Sequence, residues 1–190
     1  MEIHTNRFVL RDFSATDVRA FLAYHADPRN SRFYTPEEAR PEHAQHLLAT
    51  FQDWAAEQPR KNYQFAVVQC REPHSLAGCA GLRGSGHPPH EAEFGMELAP
   101  DYWGRHAYAV EIGRALLGFG FGNLGLRVIT GSTVSANSGI TRLAEWFGAE
   151  IVATRPAPQR MAEQQGSSLD WRITKERWHQ SKSRPNDRNA

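Results

Sequence analysis

The sequence predicts a single α/β domain in which helices flank a mixed sheet, a fold that some schemes class as α+β. Two observations lead to this prediction. Strand and helix patterns alternate along the 190 residues in the order β, α, α, β, β, β, α, β, α, β, β. The length suits one domain with a real core, and 40% hydrophobic with 23% charged residues is typical of a soluble globular protein.

The individual elements follow from periodicity and from the residues at their ends. Strand patterns, which alternate or are rich in β-branched and aromatic residues, occupy 7–13, 62–70, 75–84, 91–99, 126–135, 150–155 and 168–174. Helix patterns run from a capping box at 14–17 to just before Pro28, over 42–57, from 107 into a glycine-rich zone at 118–125, and from the cap Asn137 to Gly148. The polar stretch 28–41 is predicted to be an irregular loop.

The charge balance narrows the classes of function. The chain has 22 Lys and Arg against 21 Asp and Glu, so its net charge of +1 gives no indication of nucleic-acid or acidic-membrane partners. No apolar signal core or run of about 20 apolar residues is visible, and we expect a cytoplasmic location. Residues 175–190 carry five Lys or Arg against two acids. We predict a flexible basic tail there and a domain over 1–174.

Two His-x-x-His pairs raise the question of a metal. His43 and His46 lie on a predicted helix, whereas His87 and His90 enclose two prolines in a turn. No cysteine or acidic residue completes a known ligand spacing with either pair, so we expect no metal site.

The stretch DYWGRHAYAVE (101–111) joins a strand to a helix and is the strongest candidate binding element. A helix N-terminus leaves backbone N–H groups unpaired and carries partial positive charge. Ala107 and Ala109 are small enough for an anion to approach these groups, Gly104 precedes them, and Arg105 adds charge. Taken alone, this pattern fits either an ordinary strand-to-helix turn or a phosphate site.

Three segments in order resemble the GNAT superfamily of acyl-CoA-dependent N-acyltransferases, specifically the branch of the RimJ/RimL-type ribosomal-protein acetyltransferases. They are TNRFVLRDFSATD, EFGMELAPDYWGRHAYAVE and VSANSGITRLAEWFGAEI, and the resemblance covers roughly residues 5 to 155. It implies a mostly antiparallel sheet splayed at its central strands. It also implies acetyl-CoA as cosubstrate and direct transfer of acetyl to a primary amine, of a protein N-terminus or a small molecule. A homodimer is plausible by the same analogy.

The resemblance further assigns the cofactor site. The family motif (Gln/Arg)-x-x-Gly-x-(Gly/Ala) wraps the CoA pyrophosphate; counted back from Glu111, its small positions fall on Ala107 and Ala109. Counted forward from Trp103, a glycine position falls on His106, so the turn is one residue longer and its register stays open. The central strand is expected to bulge at Gly95 and to pair with the pantetheine arm. The implied cofactor residues are Met96, Glu97, Leu98, Gly104, Arg105, His106, Ala107, Tyr108, Ala109 and Asn137.

Two carboxylates are candidates for the proton acceptor. Glu93 matches a general-base position of many family members and is the first choice, and Glu97 is the second; regular alternation puts both on one strand face. Ile140 occupies the place of a serine that often serves the thiolate, so we predict no dedicated proton donor. Either carboxylate could instead be a solvated or acceptor-binding residue. A non-catalytic acyl-CoA-binding module on the same fold is the alternative function.

Overall fold

Eight strands form one open sheet within the residues that this computed structural model describes, 1–31, 34–104, 107–156 and 166–182. They are β1 (Glu2–His4), β2 (Phe8–Arg11), β3 (Asn62–Gln69), β4 (Leu76–Arg83), β5 (Glu91–Leu98), β6 (Val128–Val134), β7 (Glu150–Pro156) and β8 (Ser167–Thr174). Their order is β1-β2-β3-β4-β5-β6-β8-β7, and only the pair β5–β6 is parallel in this part of the chain. The mixed, mostly antiparallel sheet is confirmed, and β1 is an addition to the predicted strands.

Helices cover both faces of this sheet. They are α1 (Val18–His25), α2 (Pro28–Ser31), α3 (Pro41–Ala56), α4 (Tyr108–Gly122), α5 (Ser138–Trp146) and α6 (Lys175–Lys182). The short α2 lies in the stretch that the sequence predicted to be irregular. The capping box before α1 is confirmed, since the Asp17 carboxylate accepts hydrogen bonds from the backbone N–H and the hydroxyl of Ser14, both at 2.8 Å.

Asp17 also fixes the start of α1 to the sheet. Its carboxylate accepts hydrogen bonds from the Arg11 guanidinium of β2 at 2.7 and 2.9 Å. Burial on its own raises the pKa of Asp17, but the hydrogen bonds from Arg11 and Ser14 outweigh it and hold the pKa below its ordinary value. The carboxylate therefore stays ionised and joins β2 to the helix that leads to the candidate site.

Both faces of the central strand β3 are buried, which explains its nearly continuous apolar sequence. Phe65 and Val67 pack on one side with α4, and Ala66 and Val68 pack on the other with α1 and α3. Because successive side chains of a strand point to opposite faces, a stretch covered on both sides, such as 65–68, is apolar at successive positions. The sheet is therefore the middle layer of three.

The sheet opens between β5 and β6. These parallel strands pair only from Glu91 with Val128 to Glu93 with Thr130. Beyond Glu93, β5 stays paired with β4 on its other side, so its edge toward β6 is uncovered by that strand. The predicted splay of the central strands is present here.

Gly95 does not introduce the expected bulge in the pairing with β4. The register runs without a shift from Gly78 opposite Leu98 to Arg83 opposite Glu93. The glycine instead permits a close approach, because a Cβ at this position would lie 2.8 Å from a terminal nitrogen of the Arg83 guanidinium. Regular alternation therefore holds through β5, and Glu93, Gly95 and Glu97 share one face.

The segment after β8 differs from the predicted flexible tail. Residues Lys175–Lys182 form α6, and Trp178 is only 1% exposed. Its ring lies 5.8 Å from that of Phe147 and 6.3 Å from that of Phe121. The prediction was based on the charges of this segment and gave no weight to Trp178. Because this residue is buried, the packed domain extends past 174. Residues 183–190 lie outside the described part of the chain.

Candidate active site

The turn between β5 and α4 is held by its two aromatic residues. The Trp103 indole N–H donates to the Leu98 carbonyl at 2.7 Å, which closes the turn back onto β5. The Tyr102 hydroxyl donates to the Gln69 side-chain oxygen at 3.0 Å and ties the same turn to the end of β3. The aromatic pair in this motif therefore holds the turn in place, and both residues also line the cleft described below.

Two left-handed residues shape the approach to α4. Gly104 has φ +64° and Ala107, the residue before the first turn of the helix, has φ +55°. Ala107 makes no side-chain hydrogen bond to the helix N-terminus, so no N-cap side chain closes this end, and the first N–H groups of any α-helix lack intrahelical carbonyl partners. An uncapped helix end with partial positive charge is suited to an anionic group.

A cleft of about 890 Å³ joins this helix end to the uncovered edge of β5. All eight described residues that the sequence assigned to cofactor binding line it: Met96, Glu97, Leu98, Gly104, Ala107, Tyr108, Ala109 and Asn137. The other two, Arg105 and His106, lie outside the described residues, so the register of the turn around His106 stays a prediction. The cleft is also lined by side chains of α5, Ile140, Arg142, Leu143 and Trp146.

Asn137 and Ile140 lie at the start of α5 and line the cleft. The Asn137 side-chain oxygen accepts a hydrogen bond from the Ile140 backbone N–H at 3.3 Å, so the predicted N-cap is confirmed. Ile140 presents an apolar side chain to the cleft at the place where the resemblance expected a serine. The side-chain oxygen of Asn137 is therefore used in capping α5, and Asn137 also lines the cleft.

Glu97 lies in a cluster of polar side chains that also lines the cleft. One carboxylate oxygen is 3.3 Å from the Asn30 side-chain nitrogen and 3.4 Å from Nε2 of His25. Asn30 also donates to the Tyr34 hydroxyl at 2.7 Å. Asn30 and Tyr34 line the cleft together with Glu97, while His25 is buried behind it.

This environment keeps the neighbours of Glu97 uncharged at neutral pH. Burial is the main cause that lowers the pKa of His25; the charge of Glu97 opposes this effect, and His43 adds to it. Burial, followed by the charge of Glu97, raises the pKa of the Tyr34 hydroxyl far above its usual value. The same two causes raise the pKa of the buried Cys79 thiol to about 12. Glu97 is therefore surrounded by neutral hydrogen-bond donors.

Glu93 has a different environment. Its carboxylate is 3.3 Å from the Arg83 guanidinium, and both side chains are about one-third exposed. Glu93 lines a separate, smaller cavity and does not line the large cleft. The two candidate residues thus lie on the same face of β5, but Glu97 lines the large cleft and Glu93 lines the smaller cavity.

Sequence reasoning missed two members of the Glu97 cluster. His25 ends α1 and Asn30 lies in α2, and their contact with β5 depends on tertiary packing. The Arg29 guanidinium reinforces this packing with ion pairs to Asp27 at 2.7 Å and to Asp101, after β5, at 2.9 Å.

The residues of the cleft fit an acyl-CoA molecule. The uncapped α4 end and Arg142 supply positive partial or full charge for phosphates, and the uncovered edge of β5 can pair with an amide-containing arm. A volume of about 890 Å³ lies in the usual range of small-molecule sites, about 300–1,000 Å³. Among the described residues there is no group of three or more His, Cys, Asp or Glu side chains that could hold a metal. Within the same residues, every helix is too short or too polar to span a bilayer.

Comparison with known families defines the class of protein to which this fold and cleft belong. Residues 7–150 match the model of the acetyltransferase (GNAT) domain. The chain therefore belongs to the GNAT acetyltransferase family, whose members use acetyl-CoA, and it is an acyl-CoA-dependent acetyltransferase.

Individual relatives agree with this family assignment. The chain is 26% identical over 141 residues to the uncharacterized N-acetyltransferase YoaA of Bacillus subtilis, covering 74% of this chain and 78% of that protein. A spermidine N-acetyltransferase of Vibrio cholerae, solved with CoA and spermine, superposes with a TM-score of 0.73 at 17% identity over 90% and 98% of the two chains. The ribosomal-protein-S5-alanine acetyltransferase of Vibrio fischeri gives 0.72 at 13% identity over 94% and 98%. At these identities the structures support the fold alone.

Proposed function

We propose that the protein transfers the acetyl group of acetyl-CoA directly to a primary amine, with both substrates bound in the large cleft. The observation that supports this most strongly is the continuity of that cleft. It runs from the uncapped end of α4, suited to phosphates, to the carboxylate of Glu97. Donor and acceptor can therefore meet without a covalent enzyme intermediate, by proximity and orientation.

Glu97 is the proton acceptor in this proposal, ahead of the first choice made from the sequence. Acetyl-CoA supplies its acetyl group as an activated thioester. Glu97 accepts the proton that the amine nitrogen loses as it bonds to the acetyl carbon and the carbon–sulfur bond breaks. Asn30 and His25 orient the carboxylate from behind. Glu93 is held by Arg83 in the neighbouring cavity, which leaves it a poorer position for an amine in the cleft.

The departing thiolate has no dedicated proton donor in this proposal. Ile140 replaces the serine that the branch often uses, and its side chain offers no proton. Water supplies the proton instead. The free thiols of Cys70 and Cys79 support a cytoplasmic location of the protein. A homodimer remains a prediction that follows from the family resemblance.

The acceptor belongs to one of two classes. The RimJ/RimL-like resemblance favours a protein N-terminus, in line with the Vibrio fischeri structure, whose protein acts on an alanine of ribosomal protein S5. The Vibrio cholerae structure holds spermine beside CoA, which keeps small polyamines in the proposal. The neutral polar cluster around Glu97 can receive either kind of amine.

A turnover assay tests the proposal. Purified protein should show a thermal shift with acetyl-CoA and release free CoA with at least one member of a panel of N-terminal peptides, polyamines and amino acids. CoA binding without turnover over the panel would favour the non-catalytic acyl-CoA-binding module. If neither acetyl-CoA nor CoA shifts the unfolding temperature, both functions are wrong.

A pair of substitutions at Ala107 tests the phosphate site. Asn and Asp both tolerate the left-handed backbone and have nearly the same size, so they differ in charge alone. We expect Ala107→Asp to weaken CoA binding about 10- to 100-fold, because charges about 4 Å apart near a protein surface repel by roughly 1–4 kcal/mol. Ala107→Asn is the matched control and should bind CoA within about threefold of the unchanged protein. Calorimetric titration measures both, and equal affinities would show that no phosphate binds at this turn.

A further inference from the structure

A second cavity of about 280 Å³ lies beside the large cleft. Four residues form walls of both spaces: Met96 of β5 and Asn137, Ile140 and Leu143 at the start of α5. The second cavity therefore begins where the cleft ends, next to the strand edge along which an acyl-CoA arm would lie.

Most of the other walls of this cavity are apolar side chains of the core. They are Phe94, Leu117, Ala144, Phe147, Trp171 and Ile173. Leu117 is fully buried, Ile173 is 1% exposed and Phe147 is 3% exposed, so the packed core fixes this lining. Protein interiors contain few voids larger than a water molecule. Polar side chains of Arg83, Glu93, Ser132, Thr133 and Asn137 line the rest of the cavity, so the space is suited to a short hydrocarbon group that stays against its apolar side.

The size of the cavity exceeds the need of an acetyl group. Acetyl ends in one methyl group, whereas an apolar cavity of about 150 Å³ already admits a benzene ring. The charged residues of the lining set an upper limit to the length of an alkyl chain that the cavity can hold. The Arg83–Glu93 ion pair lies across Gly95, and an alkyl chain that reached it would strip water from two charges.

We propose that this cavity is an acyl pocket through which the enzyme accepts acyl groups of three or four carbons as well as acetyl. The proposal rests on the acetyl transfer proposed above and concerns the donor of that same reaction. The chemistry is unchanged: the amide bond forms, the thioester carbon–sulfur bond breaks, and the amine proton passes to Glu97. Only the group attached to the carbonyl carbon is longer.

Binding of four CoA esters tests the pocket without the need for an acceptor. We expect butyryl-CoA and propionyl-CoA to bind at least as tightly as acetyl-CoA, since each buried methylene adds up to about fourfold in affinity. Octanoyl-CoA should bind at least about tenfold more weakly than butyryl-CoA, because its chain reaches the ion pair. Calorimetry that finds butyryl-CoA more than about tenfold weaker than acetyl-CoA would overturn the proposal.

Filling the pocket gives the second test. Ala144 lines the cavity and is 7% exposed, so Ala144→Leu should weaken butyryl-CoA at least about tenfold and leave acetyl-CoA within about threefold. Glu145→Leu, which places the same residue one position along α5 at an exposed site, is the matched control and should leave the order of affinities unchanged. Thr133→Ile fills the cavity from β6 and should repeat the effect if the α5 variant does not fold.

Turnover separates this proposal from the proposed function. With an amine found by the panel, propionyl- and butyryl-CoA should have kcat/KM within about tenfold of acetyl-CoA. Turnover of acetyl-CoA with both longer esters at least about 100-fold slower would overturn the pocket and leave the proposed function intact. An acceptor KM that rises in Ala144→Leu while all esters bind as before would assign the cavity to the amine, and it would likewise overturn the proposal.

Discussion

Glu97→Gln is expected to lower kcat about 10²- to 10⁴-fold while acetyl-CoA binding changes less than about threefold. The substitution keeps the shape of the side chain and the oxygen that contacts Asn30, but it removes the group that takes the amine proton. Because the substitution changes no residue of the turn or of the α4 end, loss of the proton acceptor should leave phosphate binding unchanged. Steady-state kinetics with the identified amine and calorimetry with CoA measure the two quantities separately.

Glu93→Gln is the matched control for this experiment. It removes a carboxylate from the same strand face, two alternating positions away, and breaks the ion pair with Arg83. We expect kcat to stay within about tenfold of the unchanged enzyme. The opposite order, in which Glu93→Gln abolishes turnover and Glu97→Gln does not, would return the role of base to Glu93. Unchanged turnover in both variants would mean that the amine loses its proton to water.

The fold could be predicted from the sequence because most of its helices and strands are marked by local sequence signals. The capping box at Ser14 and Asp17, the cap Asn137 and the apolar run of β3 each act through residues close in the chain. The short strand β1 and the helix α2 lacked such signals. Three or four residues are too few to display a period. β1 is held by pairing with β2, as at Ile3 and Leu10, whereas α2 is held by contacts distant in sequence, such as that of Asn30 with Glu97.

The candidate site could be predicted in part. Residues close together in sequence were found, whereas contacts that depend on tertiary packing were not. The residues of the turn and of α4 lie within one stretch of chain, so a sequence motif can identify them, and the four that are described, Gly104, Ala107, Tyr108 and Ala109, line a single cleft. The choice between Glu93 and Glu97 depended on which side chains come from elsewhere. Arg83 reaches Glu93 from the neighbouring strand, while His25 and Asn30 reach Glu97 from helices far away in the sequence. No spacing rule contains that information.

Trp178→Ala is expected to lower the free energy of unfolding by about 3–5 kcal/mol, the usual cost of deleting a large buried aromatic side chain. In a chain of this size that corresponds to a fall in Tm of roughly 10 °C. Gln180→Ala, in the same helix at an exposed position, is the control and should leave Tm within about 2 °C. Thermal unfolding followed by circular dichroism measures both, and truncation after Thr174 should destabilise the protein at least as much as Trp178→Ala. A Tm unchanged in Trp178→Ala would restore the flexible tail predicted from charge.

The same substitution connects the C-terminal helix with the site. The Trp178 ring packs against Phe147, the residue that follows α5, and Phe147 is a wall of the smaller cavity. Loss of the ring removes support from the end of α5, whose first turn presents Asn137 and Ile140 to the cleft. We therefore expect KM for the acyl-CoA donor to rise in Trp178→Ala even below its Tm, and more for butyryl-CoA than for acetyl-CoA. A variant that is less stable but has unchanged KM values would show that α6 stabilises the fold without shaping the acyl pocket.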